Sequence, residues 1–200
     1  MVIYRVFIMK TKTRIIFICA IIFLFGAAAF GIPNERNSGG VIFKKVTNFE
    51  ECVAGNNSIL ESYPRQCRSK TGELFTEHVG NIVEKSDLIR ISTPQPNTVL
   101  TSPFTITGEA RGVWFFEASF PVLLTDWDGR IIAEGYAQVK GDPLDSKASW
   151  MTEEFIPFET EMTFSKPAYG ERGTLILKKD NPSGLPEHDD ALEIPVFFAQ

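Results

Sequence analysis

Few residues in this 200-residue chain are of types that could carry chemistry, and their spacing decides what they can do. The cysteines are Cys19, Cys52 and Cys67. Cys19 sits in an apolar run behind Ile18, where a lipoprotein signal would need a small residue, so lipid attachment is not expected there. Cys52 and Cys67 lie outside that run, and in an oxidising compartment such thiols pair. His78 and His188 stand in no zinc spacing with the cysteines. The acidic turn Glu187-His188-Asp189-Asp190 gathers hard oxygen donors suited to a divalent cation, although a solvated acidic loop explains the same residues. Asp126, Asp128 and Asp142 lack calcium-loop spacing and suit hairpin turns. Ser183-Gly184 and Ser38-Gly39 lack the flanking glycine and strand-to-helix setting of a nucleophile elbow. Paired acids such as Glu159 and Glu161 carry little information in a chain with 25 acidic residues. No catalytic, metal or cofactor site is expected, and the chain reads as a non-enzyme.

Candidate binding residues are aromatic or basic. Trp127 falls in a turn, where it either anchors a sugar or protein ligand or folds back on the rim of the core. Phe115 falls on the face opposite Trp114 and Phe116, which makes it an exposed aromatic. Tyr63-Pro64-Arg65 lies between Cys52 and Cys67 and has the general shape of a constrained loop offered to a trypsin-like protease, since a rigid loop loses little entropy on binding. The plainer reading packs Arg65 over Tyr63 and pairs it with Glu61 or Glu73.

The elements that would position these residues are mostly strands. From 114 to 125, Trp114, Phe116, Ala118, Phe120, Val122 and Leu124 alternate with Glu117, Ser119 and Thr125. A second alternating run follows Asp128-Gly129, a pair that suits a tight primed hairpin turn because glycine takes positive φ without steric cost. Seven strands are expected at 88–92, 103–110, 114–125, 130–140, 154–164, 173–179 and 191–198, the signature of an all-β sandwich. In the fifth, Ile156, Phe158, Thr160, Met162 and Phe164 make one apolar face. In the last, Leu192, Ile194, Val196 and Phe198 point inward. Pro157 and Pro195 cannot donate to a ladder and belong at edges or at strand positions whose N–H would face solvent.

Residues 1–32 carry Arg5, Lys10, Lys12 and Arg14, no acid, and then an apolar run, which reads as a signal peptide or signal-anchor. Cleavage before Phe30 and retention are both open, and Met9 offers a second start. Of the 20 basic and 25 acidic residues, the part beyond this leader keeps 16 basic ones, a net charge near −9 that disfavours nucleic acid. Residues 33–40 read as a polar spacer, 41–80 as a small two-cysteine module, 81–87 as a linker and 88–200 as the sandwich. On the chain-entropy account, a disulfide closing a loop of about 15 residues would contribute about 3 kcal/mol to so small a module.

The order of motifs in the last part carries a resemblance. Ile91-Ser92-Thr93-Pro94-Gln95-Pro96-Asn97, Ser102-Pro103-Phe104-Thr105-Ile106-Thr107-Gly108-Glu109-Ala110-Arg111, Trp114-Phe115-Phe116-Glu117-Ala118, Asp128-Gly129 and Ile194-Pro195-Val196 together resemble the immunoglobulin-like domain of bacterial spore germination. The resemblance implies an extracytoplasmic bacterial immunoglobulin-like sandwich, often joined to a membrane leader or other modules, and brings no established catalytic residues. Residues 52–77 resemble a short two-cysteine module of small secreted bacterial proteins. The expectation is a noncatalytic binding or scaffolding protein of the cell envelope, outside the cytoplasm. Its partner would be an envelope protein or polysaccharide, with the membrane reached through an uncleaved leader. The rival reading is a small secreted enzyme or a protease inhibitor presenting Tyr63-Pro64-Arg65.

Overall fold

Strand alternation is realised almost wherever the sequence carries it. The computed structural model describes residues 45–141 and 150–199, so the leader, the spacer and Asp142 lie outside the described residues. Lys45–Gln200 gather into one compact unit.

The unit opens with helix α1 (Phe49–Ala54), whose N-cap Asn48 accepts a hydrogen bond from the Glu51 N–H at 2.8 Å. A small antiparallel sheet follows: β1 (Ser58–Leu60), β2 (Gln66–Arg68) and β3 (Leu74–Thr76). Cys52 on α1 and Cys67 on β2 form the expected disulfide, with Cα atoms 6.0 Å apart and both residues fully buried. With Phe49 they make a miniature core, against which Val46, Val53 and Phe75 pack.

Eight strands then build the main sheet: β4 (Ile89–Thr93), β5 (Val99–Leu100), β6 (Phe104–Arg111), β7 (Ser119–Asp126), β8 (Ile131–Val139), β9 (Phe155–Met162), β10 (Arg172–Lys178) and β11 (Ala191–Phe198). Their order is β4-β6-β9-β8-β7-β10-β11-β5. Between β8 and β9 only Gln138↔Glu159 and Val139↔Phe158 pair, and there the sheet folds over on itself. The layers β4-β6-β9 and β8-β7-β10-β11-β5 thus face each other as an immunoglobulin-like β-sandwich. Phe120 of β7 meets Phe158 of β9 across the core, edge to face, with centroids 5.0 Å apart. Both rings are essentially inaccessible, and each contributes about 2–3 kcal/mol by leaving water. The inward sets of the fifth and last expected strands hold: Ile156, Phe158 and Met162 are buried, as are Leu192, Ile194, Val196 and Phe198.

Four expectations change. The third strand begins at Ser119, not Trp114: Gly112–Trp114 is a 3-10 turn, and Glu117 and Ala118 have φ of 51° and 62°. Phe116 and Ser119 exchange backbone bonds around that pair (3.0 and 3.1 Å), so the primed turn sits there, without glycine. At Asp128-Gly129 the hairpin is present but only Gly129 has positive φ, 79°. The Gly129 N–H reaches Asp126 O and the Asp126 N–H reaches Arg130 O, the geometry of a type I turn closed by a glycine bulge. An eighth strand, β5, pairs parallel with β11 through Phe197↔Val99 and Phe198↔Leu100. The segment expected as a linker carries a one-turn helix, α2 (Ile82–Lys85), whose Lys85 pairs with Asp190 at 2.5 Å.

The prolines sit as ladder chemistry requires. Pro195 O accepts from the Asn97 N–H and Pro157 O from the Lys140 N–H. Carbonyl and nitrogen of one strand residue point the same way, so each missing donor faces away from the fully paired neighbour, β10 or β6.

Candidate binding surface

Pairing of β2 with β3 places Gln66 opposite Thr76, so the next residues outward, Arg65 and Glu77, meet. Arg65 donates from Nε (2.8 Å) and Nη2 (2.6 Å) to the two oxygens of Glu77, a bidentate fork. Its guanidinium lies over the Phe49 ring, 5.3 Å from the centroid. The partner is therefore Glu77 and not Glu61 or Glu73. The fork holds the Glu77 carboxyl below the usual carboxylate range and raises Arg65. Burial, and secondarily the charge on Glu77, raises the Tyr63 phenol. Tyr63 is exposed, but Arg65 is already committed, which is unlike an arginine offered to a protease pocket.

Glu77 also accepts from Asn97 Nδ2 at 3.2 Å, and the same amide reaches His78 O at 2.9 Å. Asn81 inserts beside β11, donating Nδ2 to Ala191 O (2.9 Å) and accepting the Glu193 N–H (2.8 Å). Gly80, at φ 72°, lies so close to Glu193 that a Cβ there would run into its carbonyl. The two-cysteine part is thereby fastened to the sandwich. These amides were not picked out from the sequence, because nothing local distinguishes Asn81 or Asn97 from other loop asparagines.

Phe115 is buried, not exposed, and packs on Phe120 with centroids 5.2 Å apart. The alternation that put it outside is broken by the 3-10 turn before it. It lines a groove of about 320 Å³ with Gly112, Val113 and the 150–153 stretch. Phe116 is the partly exposed ring of the pair. Trp127 is 62 % exposed and rests on Gly170, where a Cβ would collide with the indole; the adjacent Tyr169 is 81 % exposed.

The polar loop 179–190 brings Ser183 Oγ within 3.1 Å of His188 Nδ1, yet the hydroxyl is also 2.5 Å from Asn181 Oδ1 and accepts the Leu185 N–H. That serine ties a loop together. Asp189 takes Asn181 Nδ2, Asp190 takes Lys85 and the Ala191 N–H, and Asp126 takes the N–H groups of Asp128 and Arg130. Among the described residues, no group of three histidine, cysteine or acidic side chains gathers as a metal site, and no helix is long and apolar enough to cross a membrane. Trp114 is fully buried, and its indole Nε1 finds no hydrogen-bond partner among the described residues.

The outer faces of the two layers differ. On β6 and β9, Thr105, Thr107, Glu109, Glu159 and Glu161 point outward. On the five-stranded layer, Leu123, Tyr136, Ile176, Phe197 and Val99 do so, each partly or largely exposed, interspersed with Glu134, Arg172, Lys178 and Glu193. A solvated antiparallel face is normally polar, so these apolar positions are the better candidates for contact.

No curated protein and no solved structure matches the chain. Residues 88–184, most of the sandwich, match the family model described as the immunoglobulin-like domain of bacterial spore germination.

Proposed function

We propose that the chain is a noncatalytic binding or scaffolding protein of the bacterial cell envelope, acting outside the cytoplasm. The observation that carries this reading is the exposed Trp127, braced on Gly170 just beyond the end of β7. A braced aromatic ring offers contact area at low entropic cost, as sugar and protein ligands require. The disulfide and the basic, apolar leader support an exported location. Pull-down by purified peptidoglycan tests the polysaccharide form of the proposal. Retention of the full chain, reduced about tenfold by Trp127→Ala, the loss that about 1.4 kcal/mol of contact would give, is the expected result. Equal retention of both proteins removes Trp127 from the site, and no retention of either directs the search to envelope proteins.

A further inference from the structure

The edges of the main sheet are not treated alike. β11 is closed along its outer side by Asn81 at Ala191 and Glu193, by the Asn97 N–H at Pro195, and by β5 at Phe197 and Phe198. β8 pairs with β7 along one side, but on the other only Gln138 and Val139 meet β9. The Val139 N–H bonds Ala118 O on the β7 side, and the Lys140 N–H bonds Pro157 O on the β9 side. Strand alternation then points the N–H and C=O of Glu134 and Tyr136 away from β7. Pro121, opposite Tyr136, fits that phase, because a residue without an N–H suits a pair that exchanges no bonds. No described residue meets these four groups. Within Ile131–Val139 there is no proline or lysine; the guards present are one charge, Glu134, and the bulge at Ile132 at the far end of the strand.

We propose that this edge binds a second copy of the same chain, β8 pairing antiparallel with its counterpart about a two-fold axis through Gly135. The phase selects that register. With the axis at Gly135, Glu134 of each copy lies opposite Tyr136 of the other, and each such pair exchanges both backbone bonds. Moving the axis to Glu134 opposes two carboxylates, which is unfavourable. Moving it to Tyr136 would require Gln138, already held by β9. Moving it to Ala133 would recruit Ile132, the extra residue of the β8 bulge. The pair at the axis is the closely spaced kind, with Cα atoms about 4.5 Å apart, and glycine leaves it unobstructed. Tyr136, 61 % exposed, lies on the outer face beside the partner's Glu134, and the two outer faces join into one.

Oxidative cross-linking of the full chain in a Cys19→Ser background tests this. Gly135→Cys places a thiol at the axis, where a Cβ meets nothing nearer than Met162 Cε at 4.0 Å. Thr105→Cys places one on the outer face of β6 as the comparison. Copper phenanthroline is expected to convert Gly135→Cys to a covalent homodimer roughly tenfold more efficiently than Thr105→Cys, because a preformed interface raises the local thiol concentration. Adding Tyr136→Pro, which deletes an outward N–H that β7 does not use, is expected to abolish the difference. Equal cross-linking at 135 and 105, a dimer undiminished by Tyr136→Pro, or a conjugate only to another protein would each overturn the proposal.

Discussion

Glu77 joins three parts of the chain through one carboxylate: its own position after β3, Arg65 before β2, and Asn97 before β5. Because the Arg65 fork depresses its folded pKa, Glu77 contributes stability at pH values above the ordinary carboxylate range. That contribution is lost as pH falls through the depressed folded value. Arg65 has a half-exposed side chain, so screening by water keeps the contribution modest. Glu77→Gln should therefore lower Tm near neutrality and flatten its fall below the carboxylate range, as thermal unfolding across an acid pH series would show. An unchanged acid slope would mean that the fork does not couple to folding. The sequence placed Arg65 and Tyr63 between the two cysteines of the disulfide, but it could not name Glu77 as partner. That pairing depends on the β2–β3 register, which only the folded sheet sets.

At the level of elements, close approach matters as much as alternation. Gly108 in β6 lies beneath the Arg90 carbonyl of β4 and the Phe158 ring of β9, and an added Cβ would intrude on both. Gly108→Ala should cost about 1–3 kcal/mol, the usual range for overpacking, measured as a lowered urea midpoint at constant slope. Strands with long, uninterrupted alternation were legible: Ala191–Phe198 is observed with its expected bounds. The Trp114 to Ala118 stretch was misread because aromatic and small residues kept the period while the backbone did not, turning through positive φ at Glu117 and Ala118. β5 escaped notice because its two residues are strand only by virtue of β11 beside them. At Asp128-Gly129 the dipeptide marked the hairpin, but Asp126, bonding two N–H groups of the turn, selected the wider loop.

At the level of the whole molecule, the disulfide and the amide clasp share the task of holding a very small core. Phe49, Cys52 and Cys67 are the buried members of that core, too few to sustain it alone. Reduction should remove about 3 kcal/mol from the two-cysteine part, as loop-closure entropy suggests for 15 residues of separation. Hydrogen exchange should rise in β2 and β3 while β6, β9 and β10 stay protected. Uniform loss of protection would instead make the whole unit one cooperative body. Binding residues were less legible than architecture, since exposure depends on what folds over a ring: Trp127 stays open above Gly170, and Phe115 is covered.

The clasp on β11 bears on how this domain can be transplanted. The family match spans 88–184, whereas β11 begins at Ala191 and Asn81 precedes the match. A graft cut to the matched borders would carry the recognisable signature without its closing strand or the amide that seals that strand's edge. The heritable pattern and the portable unit are therefore different lengths of chain. The portable one must extend at least from Asn81 through Phe198.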